Sequence, residues 1–72
     1  MDIQYELEKL KIIKERSSLV QEKYNFEIPD YVLQEIVKDV IDKDRIRLFI
    51  NLAVENNRIT REEGEQLKND FC

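Results

Sequence analysis

Sixteen Asp and Glu side chains offer general acids and bases, and Cys72 offers a thiol, but the 72-residue sequence supplies neither with the partners such chemistry needs. There is no histidine, which removes the commonest proton shuttle and metal ligand near neutral pH. The only cysteine is Cys72, so an internal disulfide and a structural zinc site are excluded, and no imidazole or helix N-terminus stands by to activate its thiol. With Gly64 as the only glycine, no loop can cradle a phosphate. No carboxylate pair adjoins a nucleophile with an orienting third group, as catalysis requires. The expectation is a protein that is not an enzyme, with no catalytic, cofactor-binding or metal-holding residues.

What the spacing does offer is recognition. Tyr5, Ile12 and Leu19 recur every seven residues and lie well round the helix from a first apolar stripe of Ile3, Leu7, Leu10, Ile13, Val20 and Tyr24. One interface cannot use both stripes, so either the bundle wraps this helix on two sides or Tyr5, Ile12 and Leu19, the candidate interaction residues, meet another copy; a homodimer through the first helix is the expectation carried forward. The stretch from 49 to 71 approaches the helix-turn-helix motif of DNA-binding proteins. Ala53 supplies its small residue, Asn57 its glycine-like turn, Ile59 its apolar position and Thr60 its cap. Glu63 and Gln66 stand where that motif wants apolar residues. The candidate reading helix, Thr60 to Phe71, sets Arg61 and Lys68 against Glu62, Glu63, Glu65 and Asp70, a net charge of -2. That sign repels the phosphates that supply much of a DNA-binder's affinity, so nucleic acid is not the expected partner.

The same hairpin resembles the short C-terminal helical-hairpin modules called SHOCT domains, in which an Ile-Thr-x-x-Glu start is followed by an aromatic. Ile59, Thr60 and Glu63 match that start, and Gly64 stands where the aromatic would. The resemblance covers less than a third of the chain and rests on a helix-capping pattern, so it assigns no family.

The elements that must position these residues are helices. One Gly, one Pro and no apolar alternation of the β type predict a small all-α domain, 1–72, of about four helices: a long first helix, a central apolar third and a short C-terminal hairpin helix. The first runs from about Asp2 to Tyr24. Pro29 opens the second, whose stripe is Val32, Leu33, Ile36, Val37, Val40 and Ile41, with Glu35, Lys38, Asp39 and Asp42 on the outer face. Tyr24, Phe26 and Tyr31 flank the intervening turn and are expected to cover the end of the core. Asp42 or Asp44 caps the third helix. From Ile46 to Val54 seven of nine residues are apolar, covering roughly 240° of a helix and leaving Arg47, Asn51 and Glu55 as one wet edge. A helix that apolar is expected at the middle of the bundle, sheathed by the other three. Thr60 and Glu63 form a capping box for the fourth helix, and Gly64 on its apolar face implies a close backbone approach.

Mixed charges making up 39% of residues and a net charge of -4 describe a soluble, mildly acidic protein without a bulk attraction to phosphate. The longest apolar run, Leu48 to Ile50, is too short for a membrane span or a signal-peptide core, and a cytoplasmic location is the expectation. Nine isoleucines among many Lys, Glu and Asn fit an AT-rich, bacterial source. The function expected is therefore a small helical protein-protein interaction or regulatory protein that self-associates. A DNA-associated regulator using 49–71 is the second reading, and an antitoxin or immunity-type neutraliser, suggested by size and acidity, is the third.

Overall fold

The computed structural model describes residues 3–72; Asp2, expected at the start of the first helix, lies outside them. Four helices and no strand hold 73% of the described residues. They are α1 (Ile3–Glu22), α2 (Asp30–Ile36), α3 (Lys43–Glu55) and α4 (Arg61–Phe71). No helix among the described residues is long and apolar enough to cross a membrane.

The helix ends follow local chemistry. The Pro29 carbonyl accepts from the amides of Val32 and Leu33, so the first turn of α2 begins where the proline's fixed φ suits it. Asp42 is the N-cap of α3, its carboxylate accepting from the amides of Asp44 and Arg45. Asn57 takes a left-handed conformation, φ 60°, and ends α3 as a glycine would. Thr60 and Glu63 form the complete capping box of α4.

The core is Ile28, Val32, Leu33, Ile36 and Val37 with Ile46, Ile50, Ala53, Ile59 and Leu67. It lies where α3 packs between α2 and α4, while α1 rests chiefly on α2. The molecule measures 41 × 24 × 20 Å with a radius of gyration of 13.0 Å, against roughly 11 Å for a compact domain of this length. The excess comes from α1.

Three expectations are corrected. The second helix stops at Ile36, so Val40 and Ile41 lie in the following loop, 84% and 55% exposed. Arg16 dictates that exit, donating from Nη1 to the Val37 carbonyl (3.4 Å) and to Asp39 (2.8 Å). Next, α3 is not sheathed on three sides. Ile46, Ile50 and Ala53 are buried, but Leu48 and Leu52 remain 55% and 38% exposed, because α2 and α4 cover only one half of the helix. Finally, the first stripe of α1 is covered only in part. Ile13, Val20 and Tyr24 pack on the core, whereas Ile3, Leu7 and Leu10 do not. At 1.5 Å per residue, seven-residue α2 spans about 10 Å of a helix about 30 Å long.

Gly64 is the close approach that its place in the pattern implies. A Cβ built there would lie 2.6 Å from Val54 Cγ2 and 3.4 Å from Ile50 Cγ2. Valine has little χ1 freedom on a helix with which to yield. Gly64→Ala gains about 1 kcal/mol in helix propensity but overpacks the α3/α4 contact at about 1 to 3 kcal/mol. We expect a net loss on chemical denaturation, reversed when Val54→Ala is added; an unchanged or raised midpoint for Gly64→Ala alone would mean that the helices separate freely.

Candidate interaction surface

α1 is helical because its residues are mostly unbranched helix formers, and Ile13 and Val20, which pack it on the core, lie in its C-terminal half. Gln21 closes the loop behind it: its Nε2 donates to the Phe26 carbonyl (2.7 Å) and its Oε1 accepts from the Ile28 amide (2.8 Å). Two loop backbone groups that would otherwise need water are thereby satisfied. Tyr24 packs edge-on to Phe26 (centroids 5.5 Å) and against Phe71 (6.2 Å), and donates to Asp70 Oδ2 (2.6 Å). Burial, then the Asp70 carboxylate, holds its phenol proton well above the usual range. Tyr31, expected with these two, turns instead onto Phe49 of α3 (6.1 Å).

Of the three candidate residues, Tyr5 is 65%, Ile12 46% and Leu19 61% exposed, and no residue of α1 is fully buried. Tyr5 and Ile12 share a groove of about 440 Å³ between α1 and the loop after α2. With Ile13 they form its apolar floor, and Glu8, Lys9, Arg16, Lys38 and Asp39 form its rim. Leu19 stands outside it, on an open surface beside Lys11, Lys14, Glu15 and Ser18. An apolar floor inside a charged rim suits a protein side chain better than a small polar substrate. Arg16 is anchored at that rim by Asp39, whose carboxyl it holds below the usual range.

The buried polar centre was not legible in the sequence. Glu35, expected on the outer face of the second helix, is only 6% exposed. Its carboxylate accepts from Arg45 Nε (2.6 Å) and pairs with Lys38, joining α2 to α3. Arg45 also lies over the Phe49 ring, 5.3 Å from its centroid. The i, i+3 spacing of Glu35 and Lys38 was the one available signal; Arg45 is ten residues away and carries none. Burial pushes the Glu35 carboxyl up, but the hydrogen bonds and charges of Lys38 and Arg45 outweigh it and hold the group below the ordinary carboxylate value. A depressed folded-state pKa adds stability above the ordinary value and loses it as pH falls through the folded one. Glu35→Gln should therefore cost about 1 to 2 kcal/mol near neutrality, a gap in melting temperature that closes as pH falls through the lowered carboxyl pKa. A gap independent of pH would show that the carboxylate charge contributes nothing.

Tyr31 carries a buried hydroxyl with no hydrogen-bond partner among the described residues. Such a group costs about 1 to 3 kcal/mol. Tyr31→Phe, which keeps the ring on Phe49, should raise the melting temperature by a few degrees; a fall would place an acceptor at the hydroxyl.

Between α2 and α3, Asp39 pairs with Arg16 of α1, Glu35 with Lys38 and Arg45, and Asp44 with Arg47 (3.5 Å). Arg47, Asn51 and Glu55 form the exposed edge of α3 that its periodicity predicts. In the hairpin, Ala53 and Ile59 are buried, Asn57 is left-handed and Thr60 caps, so the four matches to the helix-turn-helix spacing are realised as one α3-turn-α4 unit. The outer face of α4 keeps its negative sign.

Comparison of the chain with protein-family models, with curated proteins and with solved structures finds no match in any of the three.

Proposed function

We propose that this chain is a non-catalytic helical interaction module that self-associates through α1. The observation that carries the reading is the exposure of six large apolar side chains on that one helix, Ile3, Tyr5, Leu7, Leu10, Ile12 and Leu19. They lie on two faces of the helix, and an exposed apolar face on one element marks a partner-binding surface. Small domains also gain by sharing a core, since one of this length buries only about 60% of its unfolded surface. The remainder of the chain, capped and cross-braced at α2 to α4, serves as the base from which α1 projects. The negative face of α4 argues against duplex DNA as the partner.

Sedimentation equilibrium across the micromolar range tests this. We expect twice the chain mass at high concentration and a return to the single chain on dilution. A single-chain mass throughout, with no change in intrinsic fluorescence or helicity on dilution, would refute self-association.

A further inference from the structure

Resting on that reading of α1, we propose that the partner is a second copy of this chain, lying parallel and in register on α1 with the twofold axis running along the helices. At about 100° a residue, Tyr5 and Leu19 fall within roughly 20° of Ile12, so the three form one strip. Lys9 and Arg16 lie roughly 40° to 60° to one side of that strip, and Glu8 and Glu15 as far to the other. A twofold axis parallel to the helices turns the basic flank of one copy toward the acidic flank of the second. Lys9 then meets Glu8 of the second copy and Arg16 meets its Glu15, each within about 1.5 Å along the axis, because the paired positions are neighbours in the chain. An antiparallel copy instead lays basic flank on basic and acidic on acidic, which is repulsive.

The surface is arranged to receive such a copy. Ile13 and Val20, on the basic side of the strip, pack α1 on the core, so a parallel twofold sends the two α2 to α4 bases to opposite sides of the helix pair. On that same side the groove over Tyr5 and Ile12 carries Lys9, Arg16 and Lys38 against Asp39 alone, and this is the side the second copy's acidic flank approaches. Glu8, Lys9 and Glu15 form no salt bridge among the described residues; Lys9 acts on Asp39 only through its field. Arg16 uses Nη1 for Asp39 and Val37, leaving other guanidinium donors to reach a second carboxylate. The apolar layers at Tyr5, Ile12 and Leu19 stand about 10 Å apart. Between successive layers the twofold repeats each acid-base pair, giving four ion pairs in all. Leu19, outside the groove of its own chain, thereby meets Leu19 of the second copy. The contact runs from residue 5 to residue 19, about 21 Å of helix.

Charge swapping tests the register. Glu8→Lys alone, and Lys9→Glu alone, should each weaken association roughly tenfold, since each breaks two pairs and creates two repulsions. Together they should restore it to within about threefold, because the opposed signs are exchanged rather than lost. Both side chains are exposed and outside the core, and Glu and Lys have similar helix propensities, so the variants fold. An antiparallel pair gives the opposite sign: each single variant relieves a repulsion and associates more tightly than the parent. Orientation is read independently by mixing Tyr5→Cys and Leu19→Cys chains, each also carrying Cys72→Ser, under mild oxidation. The parallel copy links each variant to itself, and the mixed disulfide, its two positions about 21 Å apart along the axis, does not readily form. A mixed disulfide that outpaces self-linking, a single charge variant that tightens association, or a double charge swap as weak as the single ones in a protein that still dimerises, would overturn the register while leaving self-association standing. A wild-type chain monomeric at all concentrations would overturn both.

Discussion

Ile50→Ala should lower stability by about 2 to 5 kcal/mol, the cost of the lost burial and of the cavity left behind. Ile50 is fully buried, at the centre of the α3 surface that meets α4 and beside the Gly64 contact. A domain of this length has a total stability of roughly 4 to 11 kcal/mol, so the variant stands near the edge of folding at physiological temperature. The informative control is Leu48→Ala, two residues away on the same helix. The apolar run from Ile46 to Val54 does not distinguish the two positions, but Leu48 is more than half exposed, and its truncation should change stability by under about 1 kcal/mol. Urea denaturation at one fixed protein concentration reads both, because self-association adds stability by mass action. Equal losses at Leu48 and Ile50 would mean that α3 is enclosed on all sides, and an Ile50→Ala loss below about 1 kcal/mol would remove Ile50 from the core.

Ile12→Asp should have the complementary effect. The same residue type, changed more drastically, is expected to leave the fold of the dilute single chain unaltered to within about 0.5 kcal/mol, since Ile12 is outside the core and Asp and Ile differ little in helix propensity. Association should instead weaken at least about a hundredfold, because both copies lose an apolar side chain worth roughly 1.5 kcal/mol or more of burial and gain carboxylates facing one another. Sedimentation and thermal melting, measured together, separate the two effects. A variant that dimerises as well as the parent would move the interface off this face of α1, and one that melts early when dilute would make Ile12 a core residue.

The two isoleucines show how far pattern reading reaches. Seven-residue recurrence marks Tyr5, Ile12 and Leu19 as a face separate from the first stripe, and they are exposed together on α1. The first stripe misleads at Ile3, Leu7 and Leu10: periodicity identifies a face but carries no information on the length of the element opposite. Glu35 fails for a related reason. A carboxylate among Lys and Asp reads as solvent-facing, and only the arrival of Arg45 from α3 makes its burial tolerable.

The amino-acid sequence by itself determined the helical class and the helix boundaries set within a few residues of a signal. Pro29 at the start of α2, the Asp42 cap, left-handed Asn57 and the Thr60 and Glu63 box all act through neighbours along the chain, where free energy depends on local spacing. Only the tertiary structure decided where α2 stops, which half of α3 is covered, that Glu35 is buried and that the first half of α1 stands clear. Each depends on contacts between residues far apart in the chain, such as Arg16 with Asp39 and Glu35 with Arg45, whose energies are set by how whole helices meet.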